Sequence, residues 1–150
     1  FHLWFGAIAI LSASASMINA KFVGILGMRA VIKSLFSIQI LMTSIMIIVC
    51  FTGGPYWLVF GTYLLWIVTN FFQAGLAIGN LNALAMEPLG HIAGVAASII
   101  AALSTVGAVI IAAPIALAFD GTPLPMALGT LLCASIALML TTKIRRPGET

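Results

Sequence analysis

Residues 57–86 read WLVFGTYLLWIVTNFFQAGLAIGNLNALAM, thirty consecutive positions without an acidic or basic side chain. A helix rises about 1.5 Å per residue and the hydrocarbon layer of a bilayer is roughly 30 Å thick, so about 20 apolar residues cross it. This run is longer than that, roughly 45 Å if wholly helical. It must tilt, project beyond the membrane, or break near Gly75, Gly79 and Asn80. A tilted helix with a cytoplasmic extension is the expectation.

Four more apolar runs flank it, at 3–19, 34–52, 92–119 and 126–142. The chain is 63% hydrophobic and 6% charged, where a soluble domain carries roughly a quarter charged residues. A soluble core does not account for this balance. The runs also far exceed the roughly ten-residue alternating strands of an outer-membrane barrel. The fold class expected is all-α, a polytopic transmembrane helix bundle of five spans. The first run is not a signal peptide, because basic residues follow it rather than precede it. With Phe1 already inside an apolar run, the chain reads as the C-terminal part of a longer protein, whose upstream helices are its expected partner.

All six basic residues fall in two groups, Lys21/Arg29/Lys33 and Lys143/Arg145/Arg146. Basic residues beside spans mark the cytoplasmic side, so the loop 20–33 and the tail 143–150 lie inside. The turns then alternate: 53–55 outside, 87–91 inside, 120–123 outside. The C-terminus is cytoplasmic. The net charge of +3 is thus a topology signal and not a nucleic-acid footprint. Tyr56 and Trp57 are interface anchors at the outer surface. Gly53, Gly54, Pro55, Pro88, Gly90, Gly121, Pro123 and Pro125 make the turns short, which sets neighbouring helices antiparallel.

The chemistry available is sparse. No nucleophile–base pair, metal-ligand cluster or phosphate loop is present, so no enzyme, metal or cofactor is expected. Glu87 and His91 are four apart in a solvated turn, and Asp120 opens an Asp-Gly turn. Cys50 and Cys133 read as small apolar packing residues. No ionisable residue lies at a bilayer centre, so these spans hold no proton relay. The amides are more informative. Asn70 and Gln73 share a helix face, Asn80 returns close to it, and Gln39 sits in the second span. Lipid offers amides no partner, so they either face a substrate cavity or bond another helix. Asn70 and Gln73 are the first cavity candidates, followed by Gln39 and Ser98. Gly75 and Gly79 form a GxxxG pair, and Gly94 continues the small-residue spacing that lets helices approach closely. Pro114, inside a span, is a kink candidate.

Two stretches carry a resemblance. INAKFVGILGMR at 18–29 is similar to the connection between the eighth and ninth helices of major facilitator superfamily transporters. The drug-resistance branch related to bicyclomycin and chloramphenicol exporters is the specific likeness. GNLNALAMEP at 79–88, followed by AGVAAS at 93–98, resembles the same branch, as do the Asp120–Gly121–Thr122 turn and Pro125–Met126. The resemblance covers nearly the whole chain, as helices eight to twelve of twelve. It implies a partial major facilitator fold in a bacterial inner membrane. It further implies secondary active export of small drug-like molecules by alternating access, in exchange for protons. Asn19, Lys21, Gly27 and Arg29 would then belong to a cytoplasmic loop that stabilises one conformation. Lys21 stands where the family often has Arg, and Ile25 replaces a frequently basic position. The alternative is a non-transport membrane subunit or assembly factor, whose amides and small faces bind partner helices.

Overall fold

The computed structural model describes residues 6, 19 and 21–143. The expected span at 3–19, Gly6 and Asn19 apart, lies outside the described residues, as do Arg145 and Arg146. Among the described residues the chain is helical and forms no strand.

Residues 21–26 are helical, and Gly27 then turns the chain at φ 80° and ψ 151°. That backbone region is essentially reserved for glycine. Helix α1, Met28–Thr52, begins immediately after it. The reading of 20–33 as a loop is therefore corrected: Arg29 and Lys33 ride on the first turns of α1. The reason is local, since no Gly or Pro follows Gly27 until Gly53 and nothing stops the helix from starting there. At its other end Gly53 adopts the left-handed conformation, φ 62° and ψ 53°, and its N–H reaches the Val49 carbonyl at 3.3 Å. This is a glycine-dependent helix stop.

Helix α2, Tyr56–Met86, follows Pro55 and runs 31 residues without a break at Gly75, Gly79 or Asn80. Pro88 removes a donor from the helical ladder, and Glu87–Ile92 tightens into a six-residue 3-10 segment. Leu89, at φ −111° and ψ 20°, leaves helical geometry there. Helix α3 is Ala93–Leu117. Pro114 falls in its last turn, where it frees the Ile110 carbonyl, and the helix stops three residues later. A turn through Gly121, φ 88°, leads to helix α4, Leu124–Lys143.

Among the described residues three helical stretches are long and apolar enough to cross a membrane: Met28–Thr52, Tyr56–Leu117 and Leu124–Lys143. The middle one has 62 residues, about 90 Å as a single straight helix, and the 3-10 segment divides it into α2 and α3.

Helix α1 is the packing centre. It lies along both α2 and α4, whereas α3 touches α2 and α4 sparingly. Near the start of α1, Ile32 and Phe36 are buried with Ala134 and pack against Leu81 and Leu84 of α2 and Leu138 of α4. Near its end, Met46 is buried with Trp66 and Ala127, beside Tyr63 and Ile67. The start of α1 thus meets the ends of α2 and α4, and its end meets their starts. Both neighbours are antiparallel to α1 and parallel to each other. It follows that α3 must travel the length of the bundle to join them. On α3 only Ala96 is buried, and Leu103 and Ile110 stay 68% and 67% exposed.

Candidate functional site: a cavity among four helices

A cavity of about 800 Å³ is bounded by residues of all four helices. Helix α1 contributes Phe36 and Gln39, and α2 contributes Asn70, Gln73 and Ala74. On α3, Ala108, Ala112 and Ala116 recur every four residues and turn one small-residue face toward it. Helix α4 supplies Gly129, Thr130 and Cys133. Small residues on α3 and α4 leave the volume open, and the three amides give it polarity. None of the described lining residues carries a formal charge.

The hydrogen bonds fix what each polar group presents. Gln39 is 1% exposed, and its Nε2 donates to Thr43 Oγ1 at 3.2 Å. The Trp66 indole Nε1 donates to the same oxygen at 3.0 Å. Thr43 therefore ties α1 to α2 and orients Gln39 at once. Asn70 Nδ2 donates to the Trp66 carbonyl at 2.8 Å, one turn back along its own helix. Thr130 Oγ1 donates to the Met126 carbonyl at 2.9 Å. Gln73 lines the cavity with its amide unbonded among the described residues.

Other residues singled out in the sequence lie elsewhere. Ser98 is exposed, outside the cavity lining, and its hydroxyl donates to the Gly94 carbonyl at 2.8 Å. Asn80, 3% exposed, forms a reciprocal amide pair with Asn19. Its Nδ2 donates to Asn19 Oδ1 at 2.7 Å, and Asn19 Nδ2 donates back at 3.2 Å. Lys21 is exposed, and the Nε of half-buried Arg29 is buried without a hydrogen-bond partner among the described residues. Among the described residues nothing packs closely on Gly79 or Gly94: a Cβ at either would find nothing within 4 Å. The close approach is at Gly129, where a Cβ would sit 2.5 Å from Ile115 Cδ1. Gly75 is exposed on α2.

The turn before α4 is a separate polar unit. Thr122 donates to Asp120 Oδ1 through both its hydroxyl, at 2.6 Å, and its N–H, at 2.9 Å. Those bonds hold the exposed Asp120 carboxyl below the ordinary carboxylate range. Glu87 and His91 are both exposed, and no ion pair joins them among the described residues.

Sequence reasoning missed Phe36, Gly129, Thr130 and Cys133 as cavity residues. A signal was present on α4, where Gly129, Thr130, Cys133, Ala134 and Ala137 are small and recur at helical spacing. No metal-ligating group of His, Cys, Asp and Glu forms among the described residues. No family model, curated protein or solved structure matches the chain.

Proposed function

We propose that this chain is part of a secondary transporter that moves a small amphipathic molecule across a bacterial inner membrane by alternating access. The observation that carries the reading is the cavity: about 800 Å³, mostly apolar, with Gln39, Asn70 and Gln73 converging on it. Small-molecule sites are typically of about 300–1,000 Å³, apolar, with a few placed polar groups. The resemblance at 18–29 and 79–98 supplies the transport class. In this reading α2 and α3 cross separately, five spans are reached with the run at 3–19, and the C-terminus is cytoplasmic. Protons are the coupling ion by resemblance, and other residues must carry them, since none of the described lining residues is an acid or a base.

One feature departs from the resembled architecture. There the cavity lies between two six-helix halves, whereas here one chain's four helices bound it. That arrangement, with the exposed α3, favours the second reading, a non-transport subunit whose apolar faces bind partner helices.

Everted membrane vesicles holding the full-length protein separate the two. Under a proton gradient they should accumulate chloramphenicol or bicyclomycin. Asn70→Ala and Gln73→Ala should each weaken apparent affinity about two- to tenfold, the effect of one neutral hydrogen bond, at unchanged membrane levels. Kinetics unchanged in both variants would remove the amides from the site. No gradient-driven flux of either compound would hand the case to the subunit reading.

A further inference from the structure

We infer that Trp66, which does not line the cavity, is a positioning residue for its ligand: acting through Thr43, it sets the Gln39 amide in the cavity wall. The inference deepens the proposed binding site and rests on that reading. Trp66 is 3% exposed and absent from the lining. It is buried with Met46 of α1 and Ala127 of α4, and the Tyr63 ring lies 6.2 Å from its own, centroid to centroid. From that anchored place it meets two cavity amides by different routes. Its backbone carbonyl accepts from Asn70 Nδ2 and from the Thr69 hydroxyl, both at 2.8 Å. Its indole Nε1 can only donate, and Thr43 Oγ1 receives it.

The indole route is the one that reaches Gln39. Ser44, Ser98, Thr105, Thr130, Ser135 and Thr141 each turn a hydroxyl back onto the carbonyl four residues earlier, a common resting place for a hydroxyl within a helix. Thr43 makes no such bond among the described residues. Its Oγ1 instead receives the indole N–H from α2 and the Gln39 N–H from one turn back along α1. A glutamine side chain is long and flexible, so a ligand that must still it binds more weakly. Gln39 is stilled in advance. One N–H is engaged by Thr43, while the second N–H and Oε1 make no bond among the described residues. Arg29 Nε is the one buried side-chain nitrogen or oxygen among those residues without a partner, so the unbonded Oε1 of Gln39 is open to the cavity it lines. Two other amides serve as internal controls. Asn70 is held by main chain, which no side-chain change at position 66 removes, and Gln73 is unbonded among the described residues.

The test follows the side-chain amides by heteronuclear NMR relaxation in the full-length protein in lipid nanodiscs, with Gln39→Leu, Asn70→Ala and Gln73→Ala assigning the signals. In the unaltered protein the NH2 groups of Gln39 and Asn70 should be rigid and that of Gln73 mobile. Trp66→Phe keeps an aromatic ring and removes the N–H, so it should loosen Gln39 and leave Asn70 rigid. Thr43→Val should do the same and Thr43→Ser should restore the rigid signal, which keeps the test open if the first variant does not fold. Binding of radiolabelled chloramphenicol to the same samples should weaken about two- to tenfold in Trp66→Phe, the cost of ordering one long side chain. In a Gln39→Leu background Trp66→Phe should weaken it no further. A Gln39 amide as mobile as that of Gln73 in the unaltered protein overturns the inference. So does joint loosening of Gln39 and Asn70, or undiminished weakening in the Gln39→Leu background. A rigid Gln39 in a protein that binds no chloramphenicol removes the binding-site reading and leaves Trp66 as the residue that sets the amide. Bound chloramphenicol with a mobile Gln39 removes the positioning role alone.

Discussion

Thr43 is fully buried and accepts from both the Gln39 amide and the Trp66 indole. Replacing it with Val keeps the shape and strands two buried donors. An unmet buried donor costs about 1–3 kcal/mol in water-soluble proteins, while hydrogen bonds between membrane helices average about 0.6 kcal/mol with a maximum near 1.7. Thr43→Val should therefore lower unfolding stability by about 1–2 kcal/mol in a denaturant titration of the detergent-solubilised protein, and Thr43→Ser should recover most of it. Equal stability of the Val variant would mean the triad is idle. The amides of this chain show where sequence reasoning reaches its limit. That Gln39, Asn70, Gln73 and Asn80 need partners was legible, because lipid has none to offer. Which of them face space and which bond another helix was not. A 3.6-residue period tells which side chains share a face, but the neighbour opposite that face is chosen by tertiary packing. Asn80 found Asn19 across 61 positions of sequence, a pairing that no local spacing encodes.

Helix α3 is anchored by little, which gives its contact with α4 unusual weight. Ile115 lies directly over Gly129, and a methyl group there would come within 2.5 Å of its Cδ1 and 2.8 Å of its Cγ1. Gly129→Ala should destabilise the protein by about 1–3 kcal/mol, the usual range for an overfilled contact. In an Ile115→Ala background the same change should cost much less, and additivity of the two losses would show that the helices do not meet there. The sequence singled out Gly79 and Gly94 for such a role because their spacing is right. Spacing alone does not separate a glycine that admits a neighbouring helix from one facing open surroundings. Element limits were more legible, since Gly53, Pro88 and the 120–123 turn act through their own backbones. The same turn makes a pH prediction for α4. Thr122 bonds the charged form of Asp120, so the folded-state pKa is lowered. Its stabilisation is complete above the ordinary carboxylate range and is lost as pH falls through the lower folded value. Hydrogen exchange at Thr122, corrected for intrinsic rate, should speed up on acidification below that range in the native protein. In Asp120→Ala it should be fast throughout, and protection insensitive to acid in the native chain would contradict this account.

The bundle's internal directions decide between topologies that composition leaves open. Helices α2 and α4 both run antiparallel to α1, so the chain leaves α2 at one end of the bundle and must enter α4 at the other. Helix α3, 25 residues and about 37 Å long, covers that distance. If α1, α2 and α4 span the bilayer, α3 spans it too, and the 62-residue apolar stretch is two crossings joined by a 3-10 turn. The basic residues reached the same alternation independently, since Lys21, Arg29 and Lys33 and then Lys143 fall at the same end of the bundle as Glu87–Ile92. Membrane-impermeant maleimide tests this in a background carrying Cys50→Ala and Cys133→Ala. A cysteine introduced by Ala118→Cys, at the end of α3, should be labelled in intact cells, whereas one introduced by His91→Cys, in the 3-10 turn, should be labelled only in everted vesicles. Both positions are exposed, so burial cannot mimic sidedness. Labelling of both from one side would mean that α3 lies along the membrane instead of crossing it. The cavity would then lose its fourth wall as a transmembrane element, and the transporter reading would fall with it, because a site that opens alternately to two sides needs walls that reach both.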